Sequence, residues 1–190
     1  MKTALTLLLC LAIAGAVYLG VRRTAIGLAG DVAATTRPST QPAGTRAIPP
    51  EIAAKLVPDT SNRVSLTDDE WKQILTDMQF YVLRKHGTEY AFRNEFFDHK
   101  AEGVYACAGC GQNLFSSEHK YDSRTGWPSY WQPLDPKVIG TSVDHHLGYP
   151  RTEVHCSRCQ GHLGHVFDDG PPPTGQRYCI NSAALTFQPK

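Results

Sequence analysis

Four cysteines stand in two Cys-x-x-C knuckles, Cys107-Ala108-Gly109-Cys110 and Cys156-Ser157-Arg158-Cys159, with 45 residues between the two. Each knuckle sets two thiolates in a tight turn, and Gly109 and Gly111 permit the turn's backbone. Four thiolates match the tetrahedral preference of Zn²⁺; because they fill every position, the metal is expected to be structural. Tetrahedral sulfur also suits iron. Two disulfides or a redox pair are further readings of the same cysteines. A disulfide within Cys-x-x-C, however, closes so small a loop that it does little to hold a fold.

Two cysteines remain. Cys10 lies in a continuous apolar run and reads as a small apolar residue. Cys179 lies in Gln176-Arg177-Tyr178-Cys179-Ile180-Asn181-Ser182. A lone thiol is by default buried and inert, but the neighbours here argue for chemistry. Arg177 could stabilise a thiolate, and period-two spacing puts Asn181 on the same strand face as Cys179 and Arg177. Upstream, Gly161-His162-Leu163-Gly164-His165 offers two imidazoles. His162 and His165 could instead join the second knuckle as ligands, yet two matched knuckles fill the metal without them. That frees both for proton transfer beside a nucleophilic thiol. In Gly126-Trp127-Pro128-Ser129-Tyr130-Trp131, the two indoles are core residues or the wall of an apolar pocket for a methyl or thioether group.

Short elements must carry these groups. Leu66-Thr67-Asp68-Asp69-Glu70-Trp71 is a helix start: Thr67 caps, Glu70 reaches back, and Leu66 can pack on Trp71. Trp71, Ile74, Leu75, Met78 and Val82 follow at helical spacing, with Gly87 as a stop. Beyond Gly103, short apolar stretches alternate with turns at 104–106, 113–115, 138–139, 153–155, 165–167, 177–180 and 185–187. That pattern predicts short antiparallel strands, hence a mainly β domain with an N-terminal helical lead-in.

The chain of 190 residues divides into three unlike regions. Thr3 to Val21 carries no charge and is apolar on every side, so residues 1–23 read as a signal peptide or an N-terminal membrane anchor. Residues 24–61 are rich in Ala, Thr and Pro, with no aromatic between Tyr18 and Trp71, and are expected to form a flexible linker. Residues 62–190 hold all three tryptophans, seven phenylalanines and eight histidines, and form the domain. With 13 basic against 15 acidic residues there, and 6 against 3 in residues 1–60, neither part has the charge of a nucleic-acid binder. A span at 3–21, if not cleaved, makes the membrane a partner and implies an anchored or exported, extracytoplasmic (periplasmic) domain.

The runs CAGCGQNLF, GWPSYW, VHCSRCQGHLGHVFDDGPPPTG and RYCINSAALTF together resemble the peptide-methionine (R)-S-oxide reductases, over residues 64–188. The resemblance implies two small antiparallel sheets braced by structural zinc, with no organic cofactor. It implies Cys179 as nucleophile on the sulfoxide sulfur and His162 or His165 as proton donor to the oxygen. It further implies that Arg177 and Asn181 organise the thiolate and oxygen, and that Trp127 and Phe187 line the pocket for the S-methyl group. The R configuration rests on the resemblance alone. The substrates would be oxidised proteins or peptides. The reductant of the Cys179 sulfenic acid would be a thioredoxin-like protein or a small thiol. Many members carry a resolving cysteine just before Gly-Trp-Pro-Ser; Thr125 stands there in this chain. A non-catalytic zinc-ribbon-like binding module, or a redox sensor using Cys179, is the alternative reading.

Overall fold

A computed structural model describes residues 47–190. The apolar run at 3–21, Cys10 and the linker as far as residue 46 lie outside the described residues. Among the described residues no helix is long and apolar enough to cross a membrane.

The helical lead-in comprises α1 (Pro50–Lys55), α2 (Asp68–Ile74) and α3 (Asp77–Lys85). Two features differ from the sequence expectation. The stretch expected to be a flexible linker to residue 61 contains α1, whose Ile52 is only 1% exposed. One apolar face over 71–82 also proves to be two helices. Thr67 and Glu70 form the expected capping box on α2, and Thr76 and Gln79 form a second one on α3. The Thr76 hydroxyl accepts the Gln79 N–H, which ends α2 at Leu75 and restarts the chain in a new direction. Trp71, Leu75, Val82 and Leu83 still reach one core.

The β elements are β1 (Gly103–Cys107), β2 (Asn113–Ser116), β3 (Lys120–Tyr121), β4 (Ser129–Tyr130), β5 (Ile139–Asp144), β6 (Arg151–Cys156), β7 (His162–Phe167), β8 (Arg177–Ile180) and β9 (Leu185–Pro189). They form a three-stranded sheet, β2-β1-β9, and a six-stranded sheet, β3-β4-β8-β7-β6-β5, with every pairing antiparallel. The mainly β architecture with two antiparallel sheets and a helical lead-in is as expected. Strands β3 and β4, two residues each, were too short to show a period in the sequence.

On the larger sheet, Tyr130, Tyr178, Ile180, Val154 and Val166 face the core or pack against it. The alternating residues form a polar row across the opposite face: Ser129 pairs with Cys179, Cys179 with His165, His165 with Glu153, and Glu153 with Ser142. Gly164 allows β7 and β8 to close up beside this row, since a Cβ there would lie 2.1 Å from the Cys179 carbonyl oxygen.

Candidate functional site: one free thiol beside a four-cysteine cage

The two knuckles are built alike. In each, the first cysteine's carbonyl accepts the N–H four residues on (Gly111, Gln160). Its own N–H donates to the carbonyl five residues on (Gln112, Gly161). Gly111 and Gln160 take left-handed backbones, with φ of 71° and 58°, to complete the turns. Cys107 and Cys110 come from the smaller sheet's β1 turn, and Cys156 and Cys159 from the larger sheet's β6 turn. All four Sγ atoms lie within 4.8 Å of one another, and Cys107–Cys159 and Cys110–Cys156 are each separated by 3.6 Å. A tetrahedron with metal–sulfur bonds of about 2.3 Å has edges of roughly 3.8 Å, so the cage has the size zinc needs. The cysteines are not paired as disulfides. Contact with the other three sulfurs and full burial push the Cys107 thiol well up. Four thiolates this close would need a cation among them, so the four cysteines could hold a metal ion.

Cys179, near the end of β8, opens into a cavity of about 120 Å³ bordered by Trp127, His165, Phe167, Ile180 and Asn181. Burial pushes its thiol up, while the Thr125 hydroxyl, the Arg177 charge and the Ser129 hydroxyl pull towards thiolate. Thr125 Oγ1 is 3.9 Å from Sγ, and a hydroxyl chain continues through Ser123 to Ser129, with links of 2.8 and 2.7 Å. Arg177 is held by a bidentate pair with Asp169, both contacts 2.8 Å, and its guanidinium stacks 4.3 Å from the Phe167 ring centroid. Charge and ring are thus fixed together, the ring in the cavity wall and the charge within reach of Cys179.

The pH dependence of Cys179 alkylation tests this balance. In the free protein the thiol should react with iodoacetamide with a midpoint above that of an exposed cysteine. Arg177→Gln should move the midpoint higher still, because removing a positive charge disfavours the anion. A midpoint that fell, or stayed put, would contradict the assigned role of Arg177.

The histidines hold a surprise. Period two would put His162 and His165 on opposite faces of β7. A bulge at Leu163 inserts one extra residue opposite Val154–His155, and the two rings come to 5.4 Å between centroids. His165 lies against Cys179 and has its Nε2 2.8 Å from Asp144 Oδ2, which also accepts from Arg151 at 2.5 Å. His162 is 2% exposed, with Nδ1 2.6 Å from Glu153 Oε1 and no partner at Nε2. Burial lowers both imidazole pKa values, outweighing the carboxylates that raise them. Each ring is thus neutral at neutral pH and oriented by a carboxylate.

One residue falls elsewhere than the sequence suggested, and a second lies at the cavity but in other contacts. Phe187 lies on β9 in the smaller sheet, its ring packed on His99, Tyr105 and Phe96 at 4.4, 5.0 and 6.4 Å, away from the thiol. Phe167, two residues beyond His165 on the same strand, fills the wall position instead. Asn181 borders the cavity, but β8 has ended and its amide serves the backbone. Oδ1 accepts from Glu89 N–H at 3.2 Å and Nδ2 donates to the Leu163 carbonyl at 3.0 Å. The second contact pins the bulge that turns His162.

Glu89 had no motif to reveal it. Its buried carboxylate accepts the N–H groups of Ser182 and Ala183, capping the turn after β8, while its carbonyl takes the Trp127 indole N–H at 3.3 Å. One residue thereby fixes both the end of the Cys179 strand and the apolar wall.

The chain's similarity to known proteins agrees with this geometry. The SelR domain family model matches residues 75–189. Over 126 residues the chain is 55% identical to the peptide methionine sulfoxide reductase MsrB of Hahella chejuensis, covering 66% of this chain and 91% of that protein. It is 55% identical over 124 residues to the MsrB of Thiobacillus denitrificans, covering 65% and 94%. It is 48% identical over 126 residues to that of Methanosarcina mazei, covering 66% and 90%. A match spanning both knuckles, the bulged histidine strand and the Cys179 strand in one order leaves a single conclusion: the chain belongs to the SelR family, the MsrB-type peptide methionine sulfoxide reductases.

Proposed function

We propose that the protein reduces methionine R-sulfoxide in peptides or proteins, with Cys179 as the only redox-active thiol of the domain. The observation that carries this is the placement of Cys179, outside the four-cysteine cage, in a small cavity with an apolar wall on one side and His165 on the other. Trp127 and Phe167 would take the S-methyl group. The Cys179 sulfur attacks the sulfoxide sulfur, and the thiol's proton passes to the oxygen through His165, whose neutral ring, with its Nε2–H held by Asp144, takes it at Nδ1. His162 stands behind His165, and we assign it to proton supply. The oxygen passes to Cys179, so that thiol and sulfoxide become Cys179 sulfenic acid and methionine. One external thiol condenses with the sulfenic acid, releasing water and leaving a mixed disulfide. A second thiol restores Cys179 and departs as the external disulfide.

The Zn²⁺ that Cys107, Cys110, Cys156 and Cys159 would hold links the two sheets and takes no part in these steps. A mixture of sulfoxide epimers with dithiothreitol should lose the R form alone, over many turnovers. Equal loss of both epimers, or a single turnover, would exclude this reading in favour of an unselective or sensor thiol.

Regeneration by an intermolecular thiol, whether thioredoxin-like or small, follows from Thr125. With the four caged cysteines committed, no second domain thiol is near Cys179. Thr125→Cys should change this, since Thr125 Oγ1 already lies 3.9 Å from Cys179 Sγ, where a modest side-chain turn brings two sulfurs into bonding range. After one turnover without reductant, the native protein should keep a dimedone-reactive sulfenic acid. The variant should instead lose both thiols to an intramolecular disulfide. A disulfide at Cys179 in the native protein would overturn the one-thiol scheme.

The apolar run at 3–21 would export or anchor the domain and direct it to oxidised exported proteins. Fractionation of a C-terminally tagged chain tests this; a wholly cytosolic domain would exclude it.

A further inference from the structure

A second set of metal-ligating side chains stands apart from the cysteine cage. His86, Glu153 and His162 each offer one ligand atom, all within 4.8 Å of one another. The two imidazoles converge on one oxygen, with Glu153 Oε1 2.9 Å from His86 Nδ1 and 2.6 Å from His162 Nδ1. The rings lie 5.3 Å apart between centroids. Three donors from three elements thus share one point: the C-terminal cap of α3, β6 and β7.

Three features make this more than a hydrogen-bonded triad. First, His162 is 2% exposed and its Nε2 has no partner. Its ring proton can therefore move from Nδ1 to Nε2 without breaking another bond, turning the Nδ1 lone pair towards the cluster. His86 is exposed, so water can serve its Nε2 after the same shift. Second, the carboxylate is pre-set. Ser142 Oγ donates to its other oxygen at 2.6 Å, leaving Oε1 for a ligand, and hydrogen bonds from Ser142 and His162 keep it ionised against its burial. Third, the triad borders a cavity of about 790 Å³, which leaves room for a further ligand.

We propose that His86, Glu153 and His162 form a second cation site, for a borderline divalent transition metal of the Zn²⁺ class. Two imidazoles, one carboxylate and one open position are a donor set that zinc accepts, and the Irving–Williams order favours zinc over manganese or iron there. The present N–O separations of 2.6 and 2.9 Å must open by roughly 0.4–1.0 Å to suit bonds of about 2.0–2.2 Å, a shift within reach of the exposed His86 ring. The site stands whatever His162 does in catalysis. Its effect on turnover rests on the role proposed above, because a metal-bound His162 can no longer supply a proton, so occupancy should inhibit.

The test is calorimetric titration of the untagged full chain, with its four-cysteine site already filled, using Zn²⁺ alone. One further equivalent should bind. His86→Asn, which keeps a residue tolerant of the left-handed backbone at 86 (φ 55°), should weaken that binding at least tenfold. Glu153→Gln should do the same by removing the charge. Absence of the further equivalent, or affinity unchanged in both variants, would overturn the site. Turnover should fall as the native site fills and recover on chelation. If it stays constant at full occupancy, the inhibitory consequence fails, and with it the role given to His162.

Discussion

Cys179→Ser should lower sulfoxide reduction by at least about 10³-fold while leaving the fold intact. The chemical reason is that a serine hydroxyl is hardly ionised near neutral pH and is a weak nucleophile towards sulfur. It also cannot form a sulfenic acid. None of the surrounding groups compensates: Arg177, Thr125 and Ser129 can favour an anion, but not at an alkoxide. The fold should survive because β8 is held by backbone pairing to β4 and β7, and the Cys179 side chain makes only weak polar contacts, such as the 3.9 Å approach to Thr125. The two exchanged groups are close in size. Circular dichroism and thermal melting should match the parent. Steady-state assay with dithiothreitol should show activity at background; turnover within about tenfold of the parent would remove Cys179 from the mechanism.

Breaking the cysteine cage should have the opposite profile, a loss of stability from which loss of activity follows. Cys107→Ser removes one of four ligands and leaves the charges of the other three poorly compensated in a buried place. Apparent binding energies for structural zinc run to about 10–16 kcal/mol. Total stabilities of domains are about 5–15 kcal/mol. The metal term is thus as large as the margin itself. The cage takes one knuckle from each sheet, so it ties β1 to β6, and the neutral hydrogen bond from Gln112 to Ser157 beside it is far too weak to take its place. We expect the parent to carry about one zinc per chain. The variant should carry much less, and melt tens of degrees lower or without a cooperative transition. A chelator strong enough to strip the parent should reproduce the effect. A metal-free chain with an unchanged melting curve would show that the cage is not structural.

The two cases differ in how they could be read from sequence. The cage was legible because each knuckle is a local motif, two ligands and their turn within a few residues, and its backbone bonds run between positions four and five apart. The Thr67 capping box was legible for the same reason. The second box at Thr76 was equally local, but a continuous apolar face from Trp71 to Val82 masked it. Phe187, which only the resemblance places at the pocket, lies elsewhere, and a strand aromatic carries no mark of which sheet it joins. It pairs with Tyr105 on β1, whereas Phe167 lies across from Arg177. Glu89 was invisible because its partners, Ser182 and Ala183, lie more than 90 positions away.

By itself the sequence determined the four-cysteine cluster, the helix start, the alternating strands and the one thiol of the domain left outside that cluster, all of which depend on neighbours a few residues apart. The tertiary structure decided which groups meet that thiol. Cross-strand partners such as Ser129, Cys179, His165 and Glu153 are distant in the chain and are brought into one row only by sheet register. The bulge at Leu163 then reversed the face that period two assigns to His162. Register and bulge are set by long-range packing and by contacts such as that of Asn181 to the Leu163 carbonyl. No local spacing encodes them, and they place both histidines on the side of the sheet where Cys179 lies.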